Sequence, residues 1–177
     1  MMNQNEIVIV ILIEGDTRHM FTRTTRSAAE TAQLAQMVGK KIHEGTVVCL
    51  DGDLGAGKTL FVQNVVKMLG IEEGVTSPTF NLMNVYEGFC RVYHFDLYRL
   101  ETAEELDDIG FYEYTEEPDG IVFIEWSDKF PEELPDDYIA IRFERTGGAA
   151  SERQITFSAV GDEFVDDVEE MDAFCRF

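Results

Sequence analysis

The sequence predicts an α/β fold in three layers, with a mainly parallel central sheet and an added antiparallel hairpin near the C-terminus. Residues 46–50 form a short run rich in β-formers without polar alternation, which is typical of a strand buried on both faces. A glycine-rich stretch follows directly, and residues 59–69 are compatible with a helix that Gly70 ends. Further short apolar runs with a helical stretch between them indicate that the pattern continues.

Two predicted elements precede this central strand. Residues 7–13 are apolar and β-branched, residues 14–16 resemble a turn and residues 19–22 follow, which predicts a hairpin at the edge of the sheet. Ser27 then opens a helix, because Ser27 and Glu30 have the spacing of a capping box. One face of this helix carries Thr31, Leu34, Ala35, Val38 and Ile42.

The later elements are four strand candidates and two helices. The strand candidates are residues 92–95, 121–124, 138–143 and 154–160. The last two are close enough in sequence to pair as an antiparallel hairpin. A helix is predicted from residue 102 to about residue 114. A final amphipathic helix is predicted in the acidic tail, residues 162–177, from the helical spacing of Phe164, Val168, Met171 and Cys175.

Composition restricts the possible functions. The 177 residues, 45% of them hydrophobic, suffice for one packed domain. Fourteen Lys and Arg against 35 Asp and Glu give a net charge of −21, which disfavours direct binding to nucleic acid. The 3 cysteines are widely spaced and indicate neither a disulfide framework nor a zinc site. The longest apolar run, residues 7–13, is too short to span a membrane, so we expect a cytoplasmic protein.

The glycine-rich stretch matches the Walker A pattern Gly-x-x-x-x-Gly-Lys-Thr in every fixed position, from Gly52 to Thr59. The glycines let backbone N–H groups turn inward toward phosphates. Lys58 supplies a cation to the β- and γ-phosphates, Thr59 supplies a hydroxyl to magnesium, and the helix that follows directs its positive end at the same anion. The pattern therefore predicts a P-loop NTPase-like fold that binds a nucleoside triphosphate with magnesium.

A triphosphate site also requires a carboxylate at the end of a neighbouring strand. Glu125 and Asp96 both follow apolar strand candidates. We assign Glu125 to magnesium together with Thr59, and Asp96 to ordering water or sensing the γ-phosphate. His94 is interpreted as a structural residue, and Trp126 is interpreted as a packing residue beside the site.

Thr79 lies in the segment Ser77-Pro78-Thr79 beyond the helix, where its hydroxyl could meet magnesium or the γ-phosphate. On the residues alone, a rigid turn is the favoured interpretation of this segment. The motifs include no evident water-orienting Gln, and the only arginine near them in sequence is Arg99. We therefore expect slow intrinsic hydrolysis until a partner completes the site.

The chain resembles the TsaE family of bacterial P-loop ATPases over about residues 25–161. The resemblance rests on Thr25-x-Ser27 before a helix, the loop from Gly52 to Thr59, Ser77-Pro78-Thr79-Phe80, His94-Phe95-Asp96-Leu97-Tyr98-Arg99 and Glu125-Trp126. It implies an ATPase domain over residues 25–161, with residues 1–24 as an extension and residues 162–177 as a tail.

The resemblance also implies roles for individual residues. It makes Thr79, Asp96 and Glu125 parts of the catalytic or switch apparatus and gives magnesium to Thr59 and Glu125. The residues implied to bind ATP are Ser27, near the base or sugar, and Gly52, Asp53, Leu54, Gly55, Ala56, Gly57, Lys58, Thr59 and Leu60. The implied partners are TsaB and TsaD, which modify tRNA adenosine with a threonylcarbamoyl group, so that tRNA is met only through the complex.

Two other functions share the loop. A P-loop small-molecule kinase should carry an arginine-bearing lid, whereas Arg142, Arg145 and Arg153 are scattered among strand and loop candidates. A regulatory module would bind nucleotide and never cleave it. Hydrolysis assays with and without the partners separate these alternatives.

Overall fold

A computed structural model describes residues 17–71 and 74–176. The helices and strands form one α/β unit with a single sheet of 7 strands. The strands are β1 Thr17–Thr25, β2 Val47–Gly52, β3 Met83–Glu87, β4 Arg91–Asp96, β5 Ile121–Glu125, β6 Tyr138–Arg145 and β7 Arg153–Val160. The helices are α1 Ala28–Gly39, α2 Lys58–Lys67, α3 Glu104–Asp108, α4 Phe111–Thr115 and α5 Val165–Phe174.

The strand order is β1-β7-β6-β2-β5-β4-β3. The central strands β6, β2, β5 and β4 run parallel to one another. The outer pairs β1–β7, β6–β7 and β3–β4 are antiparallel, so the predicted β6–β7 hairpin is confirmed. The prediction of a mainly parallel sheet holds only for the centre, because β3 and β1 add antiparallel pairs at its two edges.

The central strand β2 is buried on both faces, as predicted. Val48 and Leu50 join the core beneath α1, α2 and α5, whereas Val47 and Cys49 join the core beneath α3 and α4. Successive side chains of a strand point to opposite faces, so a short run of apolar residues without alternation serves both cores. Helices therefore cover both faces of the sheet, and the carboxyl end of β2 emerges between the layers.

The predicted start of the first helix is confirmed, whereas a later predicted helix is divided in two. Helix α1 begins at the predicted cap: the Ser27 hydroxyl accepts a hydrogen bond from Glu30 N at 3.1 Å. The Glu30 carboxylate accepts from Arg26 N rather than from Ser27 N, at 2.7 Å. The single helix predicted over residues 102–114 is wrong, because Gly110 adopts φ 70° and separates α3 from α4.

The ends of the chain carry the remaining predictions. Residues 19–22 lie in β1, at an edge of the described sheet, whereas residues 7–13 lie outside the described residues. In the acidic tail, α5 packs against β1 and β7. The four apolar residues predicted at helical spacing lie in α5 and at its two caps, and all are buried: Phe164, Val168, Met171 and Cys175. Within residues 17–71 and 74–176, no helix has the length and apolar character needed to cross a membrane.

Candidate functional site

The glycine-rich loop leaves β2 in a conformation that its glycines make possible. Gly52 has φ 142°, and a Cβ built there would lie 2.4 Å from the carbonyl oxygen of Phe143 on the neighbouring strand. Gly57 has φ 113° and is the N-cap of α2. It supplies no side chain to cap the helix, so the amide groups of the first turn stay available to an anion.

The side chain of Lys58 is folded back over the loop and buried. Its Nζ donates to the carbonyl oxygens of Gly52 at 2.6 Å and Asp53 at 3.2 Å. The same atom lies 3.8 Å from the ring centroid of Trp126. Burial lowers the pKa of Lys58, and nearby carboxylates, Glu125 first among them, oppose that shift. An anionic ligand would stabilise this partly desolvated ammonium.

A carboxylate network begins at the first turn of α2. The hydroxyl of Thr59 donates to the carboxylate of Glu125, with oxygen separations of 2.9 and 3.1 Å. His94 Nε2 lies 2.9 Å from Glu125 Oε1. Glu125 is only 3% exposed and ends β5, so its carboxylate is held in one orientation by α2 on one side and β4 on the other.

A second network is centred on Asp96, which lies beside Glu125 because the two residues are in register across β4 and β5. The hydroxyls of Ser77 and Thr79 donate to Asp96 Oδ2 at 2.9 and 2.7 Å. The backbone amide of Tyr98 donates to Asp96 Oδ1 at 3.0 Å. The segment carrying Ser77 and Thr79 is therefore tied to the end of β4 through one carboxylate.

A pocket of about 460 Å³ joins the loop to both networks. Most of the site residues predicted from the sequence line this pocket: Leu54, Gly55, Ala56, Gly57, Lys58, Thr59, Leu60, Thr79, Asp96 and Glu125. Ser27 lies at the N-cap of α1, and the following residues Ala28 and Thr31 line the pocket. Gly52 and Asp53 contribute carbonyl oxygens to Lys58 from behind the loop.

Two arginines that are distant from the glycine-rich loop in sequence lie next to it in the structure. Arg153 lines the pocket and donates from Nε to Ala56 O at 3.0 Å. Arg145 donates to Leu54 O at 3.2 Å. The two residues are paired in the register of β6 and β7, which explains why both reach the same loop. No local pattern signals this, because the register depends on pairing between strands.

Trp126 borders the pocket in an unusual backbone conformation. Its φ of 62° is in the left-handed region, which residues other than glycine adopt rarely. The ring lies 4.9 Å from the ring of Tyr98 and covers the Lys58 ammonium. Trp126 is thus part of the pocket wall as well as a packing residue.

Comparisons with known proteins agree on one family. The sequence model described as "Threonylcarbamoyl adenosine biosynthesis protein TsaE" matches residues 25–155. A tRNA threonylcarbamoyladenosine biosynthesis protein TsaE of Treponema pallidum is 44% identical over 117 residues, 66% of this chain and 86% of that protein. The Bacillus subtilis protein of the same name is 38% identical over 141 residues, 79% of this chain and 86% of that protein.

A solved structure is similar over a larger share of the chain. The crystal structure of Bacillus subtilis YdiB matches with a TM-score of 0.73 at 31% identity, covering 89% of this chain and 97% of that chain. The fold and the site thus define a single-sheet α/β protein whose glycine-rich loop and buried lysine face two strand-end carboxylates. The chain belongs to the TsaE family, as the sequence resemblance indicates.

Proposed function

We propose that this protein is a magnesium-dependent ATPase of low intrinsic activity that serves the threonylcarbamoyl modification of tRNA adenosine together with TsaB and TsaD. The observation that carries the proposal is the contact between Thr59 and Glu125 at the start of α2, at 2.9 and 3.1 Å. A hydroxyl and a carboxylate at the edge of a phosphate-binding loop are the protein ligands that magnesium takes in P-loop proteins.

The residues present fit magnesium. Glu125 offers an oxygen ligand that is nearly buried and held by hydrogen bonds, and Thr59 offers a second oxygen beside it. Magnesium is usually held by one or two carboxylates together with substrate phosphates, so this small donor set is sufficient. When bound, the metal supplies charge neutralisation at the β- and γ-phosphate oxygens.

The loop and its surroundings match the parts of ATP. The amides of residues 52–59 and the first turn of α2 would hold the phosphates, with Lys58 exchanging its carbonyl acceptors for phosphate oxygens. Ala28, Thr31 and Ser151 line the far side of the pocket and would contact the sugar or base. In this assignment Ser27 sets the position of α1 through its cap.

Slow intrinsic hydrolysis follows from the second network. Asp96 already accepts hydrogen bonds from Ser77, Thr79 and the Tyr98 amide, so its capacity to orient a water is limited to the remaining lone pair of Oδ1. Arg99 lies over the ring of Phe80, which is 83% exposed, at 4.5 Å. A partner that covers this exposed pair would shift the segment that carries Thr79 and complete the site.

The pathway assignment rests on the family and on charge. A net charge of −21 repels a phosphate backbone, so tRNA would be held by the partners rather than by this chain. ATP hydrolysis would then act on the TsaB–TsaD complex.

Single-turnover hydrolysis of ATP, with and without purified TsaB and TsaD, tests the proposal. We expect slow hydrolysis by the protein alone and an increase of about tenfold or more with the partners. Unchanged hydrolysis with the partners, together with phosphorylation of a small metabolite, would favour a P-loop kinase instead. Binding without cleavage under both conditions would favour a regulatory module.

A further inference from the structure

His94 is a fully buried histidine that joins neither the apolar cores nor the pocket wall. Its exposed fraction is 0%, and its Nε2 lies 2.9 Å from Glu125 Oε1. Its other ring nitrogen, Nδ1, has no hydrogen-bond partner among the described residues. A histidine buried this deeply normally has hydrogen-bond partners at both ring nitrogens, so a single hydrogen-bonding contact, with Glu125, requires an explanation.

The sheet register explains why His94 reaches Glu125. His94 is paired with Phe123 on β5, and Glu125 lies two residues further along that strand. Residues two apart in a strand share a face, so His94 and Glu125 are diagonal neighbours. The ring therefore spans the gap between adjacent strands to contact one carboxylate oxygen.

The tautomer follows from the hydrogen-bond inventory. A neutral imidazole carries one N–H, and a carboxylate can only accept. A proton on Nε2 satisfies the contact with Glu125 and leaves Nδ1 as an unpaired acceptor. A proton on Nδ1 would leave a buried donor unpaired and place two acceptors 2.9 Å apart. The first arrangement costs less, so His94 donates to Glu125.

We infer that His94 is a positioning residue that orients the Glu125 carboxylate for a divalent cation. The Nε2–H donor occupies one lone pair of Oε1 on the β4 side. The lone pairs that face Thr59 accept its hydroxyl here, and they become free for a cation when that hydroxyl turns to present its own oxygen to the metal. Partners of this kind behind a metal-binding carboxylate typically change metal affinity by about 10–100-fold when removed. This inference rests on the proposed magnesium site.

Two substitutions separate the hydrogen bond from packing. His94→Leu keeps most of the side-chain volume and removes the donor, whereas His94→Gln keeps an N–H donor at a similar reach. Phe95→Leu is the matched control. It alters a fully buried ring on the same strand that points to the opposite face, where it packs against Phe111.

The readout is the affinity for Mn²⁺, measured by electron paramagnetic resonance on the protein saturated with a non-hydrolysable ATP analogue. We expect His94→Leu to weaken Mn²⁺ binding by about 10–100-fold and His94→Gln to stay within about threefold of the parent protein. Phe95→Leu should lower the melting temperature and leave Mn²⁺ affinity unchanged. Parent-like affinity in His94→Leu, or equal losses in His94→Leu and His94→Gln, would overturn the inference.

Glu125→Ala distinguishes this inference from the proposed function. If Glu125→Ala weakens Mn²⁺ binding and His94→Leu does not, only the role of His94 is wrong. If Glu125→Ala leaves Mn²⁺ binding unchanged, the magnesium site itself is wrong.

A measurement on the unmodified protein does not depend on how the variants fold. The ¹⁵N chemical shifts of the His94 ring report which nitrogen carries the proton. We expect a protonated Nε2 and an unprotonated Nδ1. A proton on Nδ1 alone would overturn the inference.

Discussion

Two cations of this protein, the partly buried Arg23 and the buried Lys58, have different surroundings. Arg23, on the edge strand β1, donates to the carboxylate of Asp172 at 2.6 Å and to carbonyl oxygens of α5 and its C-terminal end. Lys58, beside the glycine-rich loop, contacts two neutral carbonyl oxygens and an indole ring. The first cation has a counter-charge within the fold, whereas the second has only dipoles at contact distance.

The pKa shifts follow this difference. The hydrogen bond from Arg23 lowers the pKa of Asp172, which means that the folded state favours the charged pair. Burial lowers the pKa of Lys58, which means that the folded state disfavours its charge. A cation whose charge the folded state disfavours is suited to binding an anionic ligand. A cation already paired with a carboxylate instead joins two elements of the fold, here β1 and α5.

The largest expected effect is on ligand binding. Lys58→Met should weaken MgATP binding by about 100-fold, because a charge-assisted contact to phosphate is lost. The free energy of unfolding should stay equal or rise, since a partly desolvated charge is removed. Calorimetric titration and urea unfolding measure the two quantities. Binding within threefold of the parent protein would contradict the role of Lys58.

The converse substitution should act on stability alone. Arg23→Met should lower the free energy of unfolding by about 2 kcal/mol, because it removes the hydrogen bonds from Arg23 to the Asp172 carboxylate and to the carbonyl oxygens of Asp172 and Cys175. MgATP affinity should not change. Arg142→Met, at an arginine whose side chain is 47% exposed, is the control and should cost less than about 0.5 kcal/mol. A loss of nucleotide binding in Arg23→Met would contradict the claim that Arg23 acts on stability alone.

Ser27 lies between the two regions, after β1 and before the pocket-lining start of α1. As a cap it should respond to residue type: Ser27→Ala should cost about 1 kcal/mol of stability and Ser27→Gly a few tenths. A direct contact with the nucleotide would instead weaken ATP binding equally in both variants. Urea unfolding and ATP titration of Ser27→Ala and Ser27→Gly decide between these roles.

The smallest expected effect is a pH dependence of the Arg23–Asp172 pair. The pKa of Asp172 lies below its usual value of 3.8 in the folded protein. The stabilisation is therefore complete above about pH 5 and is lost as pH falls through the folded pKa. Urea midpoints of the parent protein and Asp172→Asn should converge between about pH 5 and pH 2. A constant difference across that range would show that Asp172 acts through packing.

Sequence patterns were most successful where the signal is local. The Walker A pattern located the loop, and the Ser27–Glu30 spacing located the start of α1. The helix predicted over residues 102–114 failed because Gly110 adopts a left-handed conformation that local spacing does not reveal. β3 escaped prediction because Met83–Glu87 is a half-exposed edge strand without an apolar run.

The sequence by itself determined which residues could carry the chemistry: the glycines, Lys58, Thr59 and the strand-end carboxylates of Asp96 and Glu125. These follow from covalent neighbours and backbone conformation, which a short motif specifies. Only the tertiary structure decided that His94 contacts Glu125 and that Arg153 reaches the loop. Both contacts depend on the register between strands that are distant in sequence, and a shift by one residue would turn each side chain to the other face.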